Sequence, residues 1–441
     1  MENILFSDVT AVTLDADAPV RSNAYVLVAD GKISSISDRP PSNFTGERID
    51  GRGKVLMPGL INCHTHIPMT VLRGYADDYD LQTWLTKYIF PVEGRLDGRC
   101  VRTGALLGIA EAIASGTTSF TDMYYFCDDI LAAVEESGIK ANISRGTSLF
   151  TEDFSFDSHE GCTEMRRIHR EWDGRDCGRI RIEASIHAEY TSNPKLWSAV
   201  AEYACANGIG MHVHLSETRR EHEACLSKYG ATPAAILDRY GVWNTRSVAA
   251  HCVWVTEADM DLLAARDVNI SHNPVSNLKL ASGIAPVPAL LAKGINVALG
   301  TDSVASNNSH DLFEEIKTAA LIHKGASGNP EAMSALDAIR LATVNGARAQ
   351  GRLDECGRIA PGMDADLILL DFDRPHLLPC HNVISNLVYS ARGSDVVITM
   401  VRGRVLYRDG EFTTIDLDHV RRDLEEYTLP RLFEGWSSSF E

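Results

Sequence analysis

The sequence predicts an α/β protein: a (β/α)8 TIM-type barrel carrying a small β-sandwich built from both chain ends. Three observations lead there. Across residues 58–358, short and nearly continuous apolar runs alternate with helix-like segments, the pattern of a parallel sheet buried on both faces. Eight such runs follow one another, the number that closes a barrel. The two ends, 1–57 and 359–441, share a different texture of alternating apolar and polar residues with Asp-Gly turns.

The N-terminal piece reads ILFSDVTAVTL, AYVLVADGKISSIS and GERIDGRGKVLMPG, short antiparallel strands with a tight turn at Asp30-Gly31. LMPGLINCH opens the barrel as its first strand. TTSFTDM, IKANISRG, RIRIEASIHA, IGMHVHLS, SVAAHCVWV, VNISHNP and INVALGTDS follow, with helical segments such as CDDILAAVEESG and PKLWSAVAEYACANG between them. An open doubly wound sheet is the competing arrangement, but no GxGxxG follows an early strand. DADLILLDFD and SDVVITMVRGRVLYRDGEF then return to the hairpin texture, with a second Asp-Gly turn at Asp409-Gly410. The two ends are expected to pair into one domain, two unrelated caps being the alternative. A charged amphipathic helix is expected from Asp416 to about Leu432.

Composition sets outer bounds. Hydrophobic residues make up 44% and charged residues 23%, as in a globular enzyme. A net charge of -18 argues against a nucleic-acid partner, whose backbone it would repel. The start lacks a basic stretch followed by an apolar run, so no signal peptide is expected, and no apolar run reaches the roughly 18 residues of a membrane span. Ten scattered cysteines without a CxxC pair read as reduced thiols of a cytoplasmic protein.

The chemistry concentrates at strand ends, where a barrel of this kind carries its active site. His64 and His66 end the first strand, and their i, i+2 spacing turns both to one face. His187 ends the fourth strand, His212 and His214 lie in the fifth, His251 ends the sixth, His272 the seventh, and Asp302 the eighth. A lone buried histidine is more often a packed core residue than a ligand. Together, however, His64, His66, His214 and Asp302 offer three imidazoles and a carboxylate, a first shell for one divalent metal ion, zinc foremost, with Fe2+ or Mn2+ served by the same donors. His214 is chosen over His212 because it lies nearer the strand end; His212 and His272 are read as packing or supporting residues. The fourth strand has no lysine to bridge a second ion. A cation lowers the pKa of its water, Asp302 can serve as ligand and base, His251 can orient the water, and Glu217 is the candidate proton carrier. The plainer reading of Glu217 is a carboxylate at a helix N-terminus.

HTHIPMTVLRG, HLSETRREHE, AHCVW, SHNPVSNLKLASG and GTDSVASNN together resemble the amidohydrolase superfamily, in the branch of s-triazine chlorohydrolases and nucleoside-type deaminases. The likeness covers nearly the whole chain, and within the branch the deaminases of 5′-methylthioadenosine and S-adenosylhomocysteine give the closer pattern. The resemblance implies hydrolytic deamination of a 5′-substituted adenosine, with 5′-deoxyadenosine also a candidate, to the inosine analogue and ammonia. It implies that Trp84 and Glu93 grip the nucleoside, Glu93 through the ribose hydroxyls. Arg145 and His187 make further substrate contacts, Glu217 protonates the purine ring nitrogen, and His251 orients the attacking oxygen. Such proteins also form homo-oligomers, as dimers or tetramers.

Two departures carry consequences. Ser303 stands where the family commonly has glycine, beside Asp302. The loop after Arg145, SLFTEDFSFDSHEG, is rich in carboxylates (Glu152, Asp153, Asp157, Glu160) with no Lys or Arg until Arg166, so a 5′ substituent without a carboxylate is the expected preference. The alternatives are hydrolysis of another N-heterocycle (an s-triazine, a pterin, a guanine-like ring), for which Glu93 would have no diol to hold, and, more remotely, a non-catalytic barrel scaffold.

Overall fold

The computed structural model describes residues 3–433. In chain order its strands are β1 (Ile4–Val12), β2 (Val20–Ala29), β3 (Lys32–Ser37), β4 (Glu47–Asp50), β5 (Lys54–Pro58), β6 (Leu60–Thr65), β7 (Thr117–Tyr124), β8 (Lys140–Arg145), β9 (Ile180–Ser185), β10 (Met211–Leu215), β11 (Ser247–His251), β12 (Asn269–His272), β13 (Val297–Leu299), β14 (Leu367–Asp371), β15 (Val396–Val401), β16 (Arg404–Arg408) and β17 (Glu411–Phe412). They form two sheets. β6 to β13 pair in parallel and in sequence order, and a bridge between Thr65 and Asp302 brings the last strand back to the first. Each of the eight apolar runs forms one of these strands.

The first run differs in one respect. LMPGLINCH is two strands, not one: β5 belongs to the other sheet and β6 to the barrel. Gly59 makes the joint. A Cβ there would lie 2.2 Å from Thr118 Oγ1, so only glycine lets the chain pass this close to β7.

The remaining nine strands come from both chain ends, joined where β5 pairs antiparallel with β14. The Asp-Gly turns do what their composition predicts. Asp30 and Gly31 have φ of 51° and 77°, Asp409 and Gly410 of 49° and 96°, the paired positive values of the turn that matches strand twist. This sheet folds over at one end: the Ala365 amide, just before β14, donates to the Gly31 carbonyl in the β2–β3 turn, and the Gly403 amide, in the β15–β16 turn, donates to the Ala365 carbonyl. Phe6, Val26, Ile33, Leu56, Leu369 and Met400, drawn from both ends, thereby share one enclosed core. The C-terminal helix runs Leu417–Asp423, Leu424–Thr428 and Leu429–Leu432, started by Asp416, whose side chain accepts from the His419 amide. The remainder of the 359–441 stretch, beyond 433, lies outside the described residues. Among the described residues no helix is long and apolar enough to cross a membrane.

Candidate active site

At the C-terminal mouth of the barrel, β6, β10 and the loop after β13 bring His64, His66, His214 and Asp302 together. His66 Nε2 lies 3.2 Å from His214 Nε2, and Asp302 Oδ1 lies 3.3 Å from the Nε2 atoms of both His64 and His66. The tautomers of two rings follow from their partners. His66 Nδ1 donates to the Met123 carbonyl at 2.6 Å and His214 Nδ1 to the His187 carbonyl at 2.7 Å. A carbonyl only accepts, so both protons sit on Nδ1 and both Nε2 atoms present lone pairs to each other. Burial holds His64 and His214 well below the usual imidazole range, as neutral ligands. The buried Nε2 of His64 has no hydrogen-bond partner among the described residues, while its Nδ1 meets His212 Nε2 at 2.9 Å. Three imidazole nitrogens and a carboxylate oxygen gathered at one point suit a divalent metal ion. His212 thus sits behind His64, not among the converging donors.

Asp302 adopts φ 59°, a left-handed conformation unusual for a non-glycine residue, and is tied down on its other oxygen. Oδ2 accepts from Ser276 Oγ at 2.6 Å and Ser306 Oγ at 3.0 Å, leaving Oδ1 for the histidines. The Ser303 hydroxyl turns away: it accepts from the Ala305 amide at 2.9 Å and stabilises the turn.

Glu217 and His251 face this cluster. The HLSETRREHE segment folds as it does because Thr218 and Glu221 form a reciprocal capping box on the helix Arg219–Tyr229. Glu221 also accepts from the Glu217 amide at 2.8 Å, so the dipole-facing role falls to Glu221 and the Glu217 side chain is free to enter the pocket. There Glu217 accepts from Ser282 Oγ at 3.3 Å, and burial pushes its carboxyl up, toward the protonated form. His251, at φ 72°, meets Asn277 Oδ1 through Nδ1 at 2.8 Å, which leaves Nε2 as an acceptor 3.8 Å from Glu217 Oε2.

His66, His214, Asp302, Glu217 and His251 line a cavity with an empty volume of about 620 Å³. Trp84, Glu93 and His187 line it as well. Trp84 opens the π-helical turn Trp84–Ile89, and Glu93 ends the helical turn Phe90–Glu93 that follows. Glu93 Oε1 accepts from the Tyr124 hydroxyl at 2.7 Å, and burial raises its carboxyl. Burial also brings His187 down to about 3, and its Nδ1 meets Thr191 Oγ1 at 3.0 Å. Arg145 does not reach this cavity. It lines a wider outer vestibule, of about 1800 Å³, that adjoins the cavity at Phe90, Glu93, Tyr125, Gly146 and His187.

Several residues escaped the sequence reading: Tyr124, Tyr190, Ser276, Asn277, Ser282 and Ser306. Tyr124 ends β7, so the rule that strand ends carry function points to it. Ser276, Asn277 and Ser282 all lie in SHNPVSNLKLASG, a motif whose polar residues had no role assigned.

A model of the amidohydrolase family matches residues 55–406. A 5′-deoxyadenosine deaminase of Methanosarcina acetivorans is 45% identical over 421 residues, 95% of this chain and 96% of the relative. A 5-methylthioadenosine/S-adenosylhomocysteine deaminase of Pelotomaculum thermopropionicum is 42% identical over 97% of this chain and 99% of its own length. Among solved structures, an adenosine deaminase from Xanthomonas campestris with bound zinc superposes at a TM-score of 0.91 with 34% identity, over 97% of this chain and 98% of that one. A barrel whose mouth gathers histidines and an aspartate, matched along most of its length in this way, makes the chain a member of the amidohydrolase family.

Proposed function

We propose that the protein removes the 6-amino group of a 5′-substituted adenosine by hydrolysis, releasing ammonia and the inosine analogue. One observation carries this reading: a single cavity is lined by the donors His66, His214 and Asp302, by Glu217 and His251, and by Glu93. His64, His66, His214 and Asp302 would hold one divalent ion, zinc by preference, with Fe2+ or Mn2+ suited to the same donors. Such an ion, when bound, brings the pKa of a water near neutrality.

The chain's own groups then have distinct tasks. Glu217, whose carboxyl burial pushes up, is the group that donates a proton to the purine ring nitrogen N1 and so makes C6 electrophilic. Asp302 Oδ1, the oxygen no serine occupies, takes the proton of the water that adds at C6. His251 Nε2 accepts a hydrogen bond from that water and aims it. The C6–N bond breaks as Asp302 passes that proton to the amine, which leaves as ammonia, and the C6 hydroxyl proton goes to Glu217 as the carbonyl forms. Trp84 offers an aromatic face, and Glu93, with Tyr124 holding one oxygen, accepts from the ribose diol. The relatives' activities on 5′-deoxyadenosine, and on methylthioadenosine and S-adenosylhomocysteine, agree with this assignment. The ten free cysteines fit a reducing cytoplasm.

The test is ammonia release from a purine nucleoside panel, with guanine and an s-triazine as controls. Turnover of 5′-substituted adenosines is expected. Ammonia from a sugarless ring and none from any nucleoside would overturn the proposal.

A further inference from the structure

The outer vestibule is where a 5′ substituent would lie, if the nucleoside sits with its purine toward Glu217 and its ribose at Glu93. Its charges are arranged unusually. Arg145 ends β8 with its side chain 12% exposed, and its Nε donates to Glu164 Oε2 at 2.6 Å. Its Nη1 donates to the Gly146 carbonyl at 2.5 Å, and the guanidinium lies 4.7 Å over the Tyr125 ring. Glu164 is equally committed. Its second oxygen accepts from the Cys127 amide at 2.9 Å, at the start of the helix Cys127–Ser137. The other guanidinium on this wall, Arg167, is paired with Asp128.

Both cations are therefore neutralised, while Asp129 and Glu160 add negative charge and make no ion pair among the described residues. The acidic loop itself contributes less than its composition suggested. Asp157 pairs with Arg166 at 2.8 Å, and Glu152 and Asp153 do not line the vestibule.

We propose that Glu164 is the residue that selects against a carboxylated 5′ substituent. By occupying Arg145 it takes up the vestibule guanidinium next to the shared residue Gly146, with which a tail carboxylate would otherwise pair. An incoming carboxylate then meets a wall of net negative charge, whereas a neutral or cationic tail does not. Glu164 makes no contact with the reacting atoms; it acts through Arg145. This inference rests on the deaminase reading given above.

The measurement is kcat/KM for two substrates that differ by one group: S-adenosylhomocysteine and its decarboxylated counterpart, 5′-deoxy-5′-(3-aminopropylthio)adenosine. In the unaltered protein the decarboxylated compound is expected to be favoured by about tenfold or more, with the gap narrowing as ionic strength rises. Glu164→Gln keeps an acceptor for the Cys127 amide but turns an N–H toward Arg145. It is expected to shift the ratio toward S-adenosylhomocysteine by about tenfold, mainly through KM. An unaltered protein that prefers S-adenosylhomocysteine, or a ratio that the variant and salt leave unmoved, would overturn the proposal. Failure to deaminate either compound, or methylthioadenosine, would instead overturn the deaminase reading. Should the variant fail to fold, the ratio in the unaltered protein and its salt dependence still decide the matter.

Discussion

At the scale of single residues, the most informative atoms are those whose protonation the structure fixes. Carbonyl partners hold the Nδ1 protons of His66 and His214, so their Nε2 lone pairs confront each other at 3.2 Å. A bound cation relieves this, and binding to the folded chain alone adds stability, about 4 kcal/mol at a thousandfold excess over Kd. Chelation is therefore expected to lower the melting temperature and zinc to restore it, an effect His66→Ala should lose. An apoprotein with an unchanged melting temperature would contradict the donor arrangement. Glu217 makes a separate case because its buried side chain meets Ser282 and His251. Glu217→Gln preserves shape and the hydrogen bond but cannot give up a proton; kcat is expected to fall by about 10²–10⁴ while metal content stays constant. A loss below tenfold would move the proton-donating role elsewhere.

At the scale of elements, the barrel was readable because strands buried on both faces are largely apolar and alternate with helices, a pattern most of the eight runs keep although β7, TTSFTDMY, is mostly polar. The site was readable for a related reason: polar residues at the ends of such strands have nowhere to point but the barrel mouth. What could not be read was contact between elements distant in sequence. Asp128 and Asp129 look like an ordinary acidic first turn, yet both line the vestibule, because the helix Cys127–Ser137 packs beside the one carrying Glu164. The pair His272 and His323 is similar. His272 ends β12, His323 lies in the helix Leu312–Ser327, and their Nε2 atoms are 3.2 Å apart in a buried contact. Burial brings His323 down to about 4, against 6.5 when unfolded. Above pH 6.5 both states are neutral and nothing is lost. As pH falls toward 4, the unfolded chain takes up the proton first, so stability declines, by about 2 kcal/mol at pH 5 from this group alone. Urea unfolding at pH 7 and pH 5 is expected to show that decline, and His323→Gln to flatten it. Equal pH slopes for both proteins would exclude the pair as a source of acid sensitivity.

At the scale of the whole molecule, the barrel and the two-ended sheet meet over buried charge. Lys140 begins β8, on the face of the barrel opposite the candidate site, and its side chain is only 1% exposed. Its Nζ lies 2.7 Å from Asp364 Oδ2 and 2.5 Å from Asp366 Oδ2, at the entry to β14. The Asp366 Oδ1 atom accepts from the Arg402 amide at 2.8 Å, extending the link to the β15–β16 turn. Residues more than two hundred positions apart gave no sequence signal of this, and a lysine at the head of an apolar run reads as solvent-facing. Removing Lys140 leaves Asp366 buried without its ion-pair partner, while Asp364 keeps Lys32 Nζ at 3.0 Å; breaking a buried pair in this way costs about 3–5 kcal/mol. Lys140→Met is expected to lower the urea midpoint accordingly. The triple variant Lys140→Met, Asp364→Asn, Asp366→Asn should recover part of the loss, because it removes the stranded charges along with the cation. In native buffer the kcat/KM for a neutral 5′-substituted adenosine should hold, since the cluster and the site occupy opposite ends of the barrel. A single-variant loss below about 1 kcal/mol would mean that apolar packing alone docks the sheet, and a fall in kcat/KM without loss of fold would mean that the two ends of the barrel are coupled.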